Sequence, residues 1–339
     1  MKTHKAHETK MHIPHMFFCL AITLSLSLTG CATTPTPTPA QSQTSTQTSP
    51  SFGTATPVKT PAIDAIQGSL RNQISNLEDK MPRADSERYL VPTDHEQMAF
   101  AELVSSLEAE DLIRTAQLAA ENYYTLNYYT DRGDENATSY LLRETKPIQK
   151  GWGLYAFRIA STSNIIIEAP HPLYDRRTPA VALDIYRALD ARALLIAGAH
   201  RNANSDGSAD MAHVTESIFQ SVHVALSEEM QTAFEDVIIL QIHGFHTSKH
   251  AGYPQAVFGF GATIQPPELA LAQKLEAALA EQGIDVGLCT GHVWQDLCGT
   301  TNAQASTTSG VVFIHIELDE KMRKKDDALV KALVQVFGK

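Results

Sequence analysis

Short apolar runs alternate with amphipathic stretches over the second half of this chain. The continuous apolar character of the runs is typical of buried strands. They lie at residues 165–168, 193–199, 237–242 and 311–318. The amphipathic stretches repeat their apolar residues every three to four positions, as helices do, at residues 178–189, 211–228, 266–282 and 321–337. This alternation predicts an α/β fold, in which a mostly parallel mixed sheet forms the middle of a three-layer α/β/α sandwich.

The preceding residues follow a different pattern. Apolar residues at helical spacing predict helices over residues 62–81 and 93–122. Alternating and aromatic positions then predict antiparallel strands over residues 123–130, 139–143 and 153–159. The sequence therefore predicts a helical and β-rich N-terminal extension, residues 62–163, ahead of a core formed by residues 164–339.

Residues 1–30 have the organisation of an export signal. A basic segment precedes the apolar residues 16–28, which are too few to span a bilayer. The following sequence Leu-Thr-Gly-Cys31 resembles the lipobox of bacterial lipoproteins, which implies that Cys31 carries the lipid. Ala32 is not an aspartate, so the resemblance implies an outer-membrane anchor facing the periplasm. The alternative is a buried helix that ends in this sequence by chance.

Residues 32–61 are almost wholly Thr, Pro, Ser, Gln and Ala, so after the lipidated cysteine we expect an extended, disordered tether. Residues 1–30 carry three lysines and one glutamate, so their removal changes the formal net charge from −11 to −13. Such an acidic chain is a poor candidate for binding nucleic acid.

Two cysteines remain beyond the signal and the lipid site. Cys289 and Cys298 flank a short, turn-rich loop, and an exported protein meets an oxidising compartment, which favours a disulfide between them. The alternative is a zinc site formed by the two thiolates and His292, which lacks a convincing fourth ligand.

Three apolar runs carry a histidine and then turn polar, at residues 165–175, 237–245 and 311–323. Open α/β sheets bind their ligands at the carboxyl ends of the strands, so these runs are expected to bring His171, Asp175, His243 and Glu317 to one edge. Two imidazoles and a carboxylate suit a zinc site that leaves one position open. The sequence therefore predicts a mononuclear metal hydrolase with His171, Asp175 and His243 as ligands.

Each of these residues has an alternative role. Asp175 could instead cap the helix that follows or pair with Arg176 or Arg177. His243 could be a hydrogen-bonded core residue. His246 and His250 compete with His243, although their loop position favours solvated side chains.

The third run offers a general base. His315 and Glu317 lie on the same side of a strand, because side chains alternate with period two. A carboxylate beside a metal-activated water can take its proton as the water attacks a carbonyl, and we assign this role to Glu317, with His315 secondary. The alternative is an ion pair of Glu317 with Lys321 or Arg323. The chain contains no GxSxG, HExxH, P-loop or dinucleotide-binding motif that would suggest another chemistry.

These motifs together carry a family resemblance. They are the PH…D turn, AGAHRN (197–202) with DMAH (210–213), the strand IHGF (242–245), GTTNAQ (299–304), and HIE (315–317) with a downstream arginine. This pattern resembles the N-formylglutamate amidohydrolase and poly-γ-glutamate hydrolase group of the zinc-carboxypeptidase-like superfamily, over about residues 164–339. The resemblance implies a mixed sheet between helices, one zinc bound by His171, Asp175 and His243, and Glu317 as base.

The resemblance also implies roles for residues around the metal. Arg201 would bind a substrate carboxylate or polarise the scissile carbonyl, and its alternative is an ion pair with Asp206 or Asp210. His213 would begin a helix and line the cleft or cap that helix, and Asn302 would reach the same cleft. The acidic ligand departs from the superfamily, since an Asp replaces the commoner Glu at a different spacing. Glu168 is the substitute candidate for that ligand.

The sequence thus predicts a lipid-anchored, zinc-dependent amidohydrolase or carboxypeptidase-type peptidase. Its substrate would be a small acidic or cell-wall-derived peptide or an N-acyl amino acid. The alternative is a non-catalytic envelope lipoprotein that binds a peptide or carboxylated ligand on the same fold. Glu317 beside a full ligand set favours the enzyme, because a binding protein needs no base.

Overall fold

A single mixed sheet organises the computed structural model, which describes residues 62–135, 137–146, 150–291 and 293–338. The predicted signal, the lipid site at Cys31 and the predicted tether lie outside these residues. The sheet has ten strands among the described residues, in the order β1-β2-β3-β4-β6-β5-β7-β10-β8-β9. Their bounds are β1 Asp64–Gly68, β2 Tyr124–Asp131, β3 Ala137–Glu144, β4 Leu154–Phe157, β5 Ile165–Ala169, β6 Ala193–Ile196, β7 Val237–Gly244, β8 Ala256–Gly259, β9 Val286–Leu288 and β10 Val311–Leu318.

The sheet is parallel where the chain alternates strands and helices. Strands β6, β5, β7 and β10 are parallel neighbours. Strands β2, β3, β4 and β6 pair antiparallel, as do β10 and β8. The strands of the predicted extension therefore continue the sheet of the core, through the pairing of β4 with β6.

Helices cover both faces of the sheet, which confirms the predicted three-layer α/β fold. Their bounds are α1 Leu70–Glu78, α2 Asp94–Glu108, α3 Leu112–Glu121, α4 Thr178–Ala188, α5 Ile218–Gln231, α6 Pro266–Glu281, α7 Ala303–Thr307 and α8 Asp327–Phe337. Helices α1, α4, α6 and α8 contribute to one apolar core, and α2, α3 and α5 to the other. No helix among the described residues is long and apolar enough to cross a membrane.

Strand β5 illustrates how the sequence divides between the two cores. Ile165 and Ile167 face the core of α1 and α4, whereas Ile166 between them faces the core of α2 and α5. The period of two in a strand produces this division. Glu168 follows on the same side as Ile166, so a buried carboxylate lies on the α5 face of the sheet.

Several predicted boundaries are wrong for local reasons. The helix predicted over residues 62–81 is strand β1 followed by α1, whose N-cap Ser69 accepts a hydrogen bond from Asn72 N. The helix predicted over residues 93–122 breaks after Glu108, because Glu110 has a φ of 57° and Asp111 caps a new helix. The helix predicted to begin near His213 starts only at Ile218, with Ser217 as its N-cap, so His213 lies in a turn.

Cys289 and Cys298 form a disulfide, with Cα atoms 5.7 Å apart. The two thiols are therefore not available for the alternative zinc site, whose His292 lies outside the described residues. The bridge closes the segment after β9, beside the short strand β8. Strands β8 and β9 span only four and three residues, too few for the hydrophobic pattern to reveal them.

Candidate metal and catalytic site

The first part of the site is the turn between β5 and α4. The backbone N–H of Asp175 donates to His171 O at 2.9 Å, so residues 171–175 form one helical-type turn. Side chains four residues apart on such a turn lie on the same side. The flanking prolines, Pro170 and Pro172, restrict the backbone around His171. Both His171 and Asp175 are buried.

The second part comes from the register of β7 and β10. These parallel strands pair His243 with Glu317 and Gln241 with His315. All four side chains lie on the α5 face of the sheet, because each alternates with residues of the other core. The strand register therefore places a metal-ligand candidate and a base candidate side by side at the carboxyl ends of the strands.

Asp175 lies between the two histidines. Its Oδ2 is 3.3 Å from His171 Nδ1 and 3.2 Å from His243 Nδ1, and the ring centroids of the histidines are 4.9 Å apart. One ligand atom from each residue falls within 4.8 Å of the others, so the three could hold a metal ion. The same criterion joins His243 to His315 and Glu317, and His171 to Asp210 and His213.

The remaining ring nitrogens of both ligand candidates are engaged. His171 Nε2 donates to Asp210 Oδ1 at 2.7 Å, and His243 Nε2 donates to Gln241 Oε1 at 2.8 Å. When each ring is neutral with its proton on Nε2, Nδ1 has a lone pair directed toward Asp175. His171 Nδ1 is also buried without a hydrogen-bond partner among the described residues. These features fit a cation bound by His171, Asp175 and His243.

Asp210 connects His171 to the cavity wall. Its Oδ1 also accepts a hydrogen bond from His213 Nδ1 at 3.0 Å, and its Oδ2 accepts from Arg201 Nε at 3.0 Å and from Arg201 Nη2. The guanidinium of Arg201 lies over the Tyr174 ring, 5.2 Å from its centroid. Arg201 thus forms the ion pair that was its alternative role. His213 contacts the site through Asp210 rather than through a helix.

Gln241 connects His243 to a buried polar network. Its Nε2 donates to Glu168 Oε2 at 2.8 Å and to Gln304 Oε1 at 3.1 Å. Its oxygen must then face His243, and it also accepts from Asn302 Nδ2 at 2.5 Å. Asn302 therefore lies beneath His243, where it also caps α7, instead of lining the cleft as a substrate ligand.

Glu168 pairs with a buried histidine. His223 Nδ1 donates to Glu168 Oε1 at 2.7 Å, and His223 Nε2 lies 3.1 Å from Thr308 Oγ1. Because the Thr308 hydroxyl itself donates to Gln304 O, its oxygen accepts from His223. Both ring nitrogens of His223 are therefore hydrogen-bonded, one to the Glu168 carboxylate and one to the Thr308 hydroxyl. Glu168 thus belongs to this network. The carboxylate that contacts both His171 and His243 is that of Asp175.

Glu317 has one engaged and one free carboxylate oxygen. Its Oε1 lies 3.3 Å from His315 Nε2, and its Oε2 is buried without a hydrogen-bond partner among the described residues. Burial raises the pKa of Glu317, the negative charge of Asp175 adds to this, and the contact with His315 opposes it. A carboxyl group of raised pKa is suited to accept and return a proton near neutral pH.

The surroundings shift the pKa values of the three ligand candidates in different directions. Burial alone would raise the pKa of Asp175, but its contacts with His171 and His243 outweigh burial and hold that pKa well below its usual value. Burial and the neighbouring His315 hold the pKa of His243 well below its usual value, so this imidazole is neutral. For His171, contacts with Asp175 and Asp210 outweigh burial and raise the pKa. The carboxylates thus attract positive charge to the position that a cation would take.

A cavity of about 1010 Å³ opens onto these residues. Asp175, His243, Glu317 and Arg201 line its inner part. His246 and His250 also line the cavity, where they contact Glu320 and Asp296 at 2.9 and 3.0 Å. Among the described residues, neither belongs to a cluster that could hold a metal. The cavity can admit a substrate to the buried cluster from solvent.

Sequence reasoning missed two residues that contact the predicted ligands. The structure brings together His171, Asp175, His243 and Glu317, with His315 beside them. Asp210 was considered only as a partner of Arg201, although it lies in the DMAH motif. Gln241 was missed, although an amide two residues before His243 in an apolar strand signals a polar partner on the same face.

No family model and no curated protein sequence matches this chain. Solved structures with a similar fold include N-formylglutamate amidohydrolase from Ralstonia eutropha JMP134, with a TM-score of 0.37, 13% identity and coverage of 54% of this chain and 95% of that chain. A bacteriophage poly-gamma-glutamate hydrolase has a TM-score of 0.30, 12% identity and coverage of 52% and 82%. A metallo-carboxypeptidase from Burkholderia cenocepacia has a TM-score of 0.34, 14% identity and coverage of 72% and 68%. These are similarities of fold alone.

Proposed function

We propose that this chain is a zinc-dependent hydrolase of amide bonds, of the amidohydrolase or carboxypeptidase type, anchored by lipid at Cys31 in the outer membrane and facing the periplasm. Its substrate class is small acidic or cell-wall-derived peptides and N-acyl amino acids. The observation that carries the proposal is the buried His171–Asp175–His243 cluster, which meets a cavity at Asp175 and His243. Beside it lies a carboxylate oxygen of Glu317 that has no hydrogen-bond partner among the described residues. The anchor rests on the sequence of residues 28–31.

Two imidazole nitrogens and one carboxylate are the donors that catalytic zinc sites use. His171 Nδ1, His243 Nδ1 and Asp175 would hold the ion, and Asp210 and Gln241 would fix the orientation of the two rings. When bound, zinc supplies Lewis acidity toward water and toward a carbonyl oxygen.

Glu317 performs the proton transfers. Its free Oε2 accepts a proton from water as the water oxygen bonds to the amide carbon. The same carboxyl group then returns that proton to the amide nitrogen as the carbon–nitrogen bond breaks, so a carboxylic acid and an amine leave. Arg201 lines the cavity and uses Nε and Nη2 on Asp210. Its Nη1 is the N–H that it would direct at the scissile carbonyl or at a substrate carboxylate.

Metal content is the first test. The purified full chain, reconstituted with zinc and dialysed, should retain one zinc per chain by elemental analysis. His171→Ala and His243→Ala should both lose it, and His95→Ala, an exposed histidine on α2, should keep it. A wild-type chain that retains no zinc would overturn the proposed site.

Turnover is the second test. The zinc-loaded chain should hydrolyse a member of one of three classes, namely muropeptides, N-acyl amino acids and γ-glutamyl peptides. Glu317→Gln should keep the zinc and lose the hydrolysis. Zinc binding without turnover of any of these classes would replace the enzyme with a ligand-binding lipoprotein, and full activity in Glu317→Gln would remove this residue from its role.

A further inference from the structure

A second cavity lies against the turn that carries His171 and Asp175. Its volume is about 680 Å³, and it is lined by residues of α1, by residues 83 and 84, by the turn itself and by the first part of α4. We call it the arginine groove, because its wall contains Arg71, Arg83, Arg176 and Arg177. The side chain of Glu78 is the carboxylate among its described lining residues.

Most of this positive charge is not neutralised. Arg71 forms an ion pair with Asp184. Among the described residues, no carboxylate lies within ion-pair distance of Arg83, Arg176 or Arg177. Arg83 Nη2 is 3.3 Å from Asp79 O, and Arg177 Nε donates to Arg323 O at 2.8 Å. Like charges in one cavity repel each other, so three unpaired guanidinium groups in an acidic chain indicate an anionic ligand.

The backbone of Arg176 and Arg177 is held in place. The buried guanidinium of Arg323 donates to Arg176 O at 2.8 Å and to Phe245 O at 2.9 Å. A Cβ at Gly244 would lie 2.5 Å from Arg323 Cζ, so this glycine is needed for the close approach. Arg177 has a φ of 75°, in the left-handed region that non-glycine residues rarely adopt. These contacts fix the two arginines without using their charge.

Arg176 and Arg177 line both cavities. They belong to the wall of the arginine groove and to the wall of the cavity that contains Asp175, His243 and Glu317. Arg201, the other arginine of the catalytic cavity apart from buried Arg323, is already neutralised by Asp210. Lys249 and Lys324 also line the catalytic cavity without an ion pair among the described residues, but only Arg176 and Arg177 of its unpaired cations are shared with the arginine groove. A negatively charged substrate that extends from the metal cluster into the groove would therefore pass these two arginines.

We propose that the arginine groove binds a carboxylate-bearing segment of the substrate that continues from the scissile amide across Arg176 and Arg177. This rests on the proposed hydrolysis of acidic peptides and makes it more specific, since a peptide with several carboxylates is the substrate class. A guanidinium binds a carboxylate through two parallel N–H donors, which lysine cannot match. Because Arg176 and Arg177 line both cavities, we assign the groove to one extended peptide that reaches from the catalytic cavity, and not to a separate anion.

Binding without turnover tests this proposal. Fluorescence anisotropy would compare fluorescein-labelled tetraglutamate with tetraglutamine on the full chain carrying Glu317→Gln, with zinc and after chelation. Tetraglutamate should bind more tightly in both states. The double variant Arg83→Gln/Arg176→Gln should weaken its binding about tenfold, equivalent to about 1.4 kcal/mol, and leave tetraglutamine unchanged. Arg114→Gln on α3, an exposed arginine paired with Glu102, is the matched control and should have no effect.

Three outcomes would overturn the assignment. They are equal affinity for the two peptides, an equal loss in Arg114→Gln, and displacement of tetraglutamate by inorganic phosphate at the same concentration as by unlabelled tetraglutamate. The last would identify a site for a small phosphate-type anion. Because neither zinc nor hydrolysis is needed for the measurement, a failure here leaves the tests of the metal site unaffected, and a failed metal site leaves this result interpretable.

Discussion

The two histidines of the proposed metal site are oriented by different kinds of hydrogen-bond partner. His171 contacts Asp210, a partly exposed carboxylate that also forms ion-pair contacts with Arg201 and His213. His243 is held by Gln241, whose amide is oriented by the fully buried pair of Glu168 and His223. Asp210 places a carboxylate next to the His171 ring. Gln241 places a neutral amide oxygen next to the His243 ring, and the ionisable pair of Glu168 and His223 lies deeper in the core. Substitutions at the two places should therefore have different effects. A change at Asp210 should mainly alter zinc affinity, whereas a change in the buried Glu168–His223 pair should mainly alter the free energy of unfolding.

The largest effect should come from the buried pair. His223→Leu leaves Glu168 as an uncompensated carboxylate in the core, and breaking a buried pair in this way costs about 3–5 kcal/mol. We expect the free energy of unfolding, measured with urea, to fall by that amount. His95→Leu on the exposed face of α2 should change it by no more than about 0.5 kcal/mol. An unchanged unfolding midpoint in His223→Leu would show that the pair carries no charge.

A smaller effect on folding and a clear one on metal binding should follow from Asp210→Asn. The amide keeps the size of the carboxylate but weakens the acceptor for His171 Nε2, and such changes typically reduce metal affinity by about 10- to 100-fold. Competition with a chromophoric zinc chelator measures this ratio. Stability should change little, because the Asp210 side chain is partly exposed and the ion pair with Arg201 is screened. Unaltered zinc affinity would exclude Asp210 from holding His171.

The smallest effect should come from Asn302→Ala. The change removes the N-cap of α7, which costs about 1 kcal/mol of stability. Zinc affinity should stay within about twofold, because Glu168 still orients Gln241. Ser69→Ala, which removes the N-cap of α1 away from the site, is the matched control for stability. A large loss of zinc affinity in Asn302→Ala alone would make Asn302 the residue that orients Gln241.

The sequence predicted that these polar residues lie close together, because the information needed for that prediction is local. Strands β5, β7 and β10 are continuous apolar runs, and the predicted bounds of β10 agree with the observed ones. The polar residues at their ends could be assigned to one edge because parallel strands end together. Period-two alternation likewise placed His315 and Glu317 on one face.

The supporting residues could not be predicted because their contacts are distant in sequence. Glu168 is 55 residues from His223, and Gln241 is 63 residues from Gln304. Only the packing of α5 and α7 on the sheet brings these side chains together. Predicted helix boundaries were wrong where an N-cap residue determines the start of the helix. With Ser217 as its N-cap, α5 begins at Ile218, seven residues later than the amphipathic pattern indicates.

The pairing of His243 with Glu317 has a consequence for insertions and deletions. One residue inserted into or removed from the middle of β10 would put Ile316 or Leu318 opposite His243 and turn every following side chain to the other face. Length changes within residues 311–318 are therefore more harmful than most substitutions there. An extra residue between Arg323 and α8 leaves the strand alignment and the contacts of Arg323 intact, so natural length variation in relatives should concentrate there.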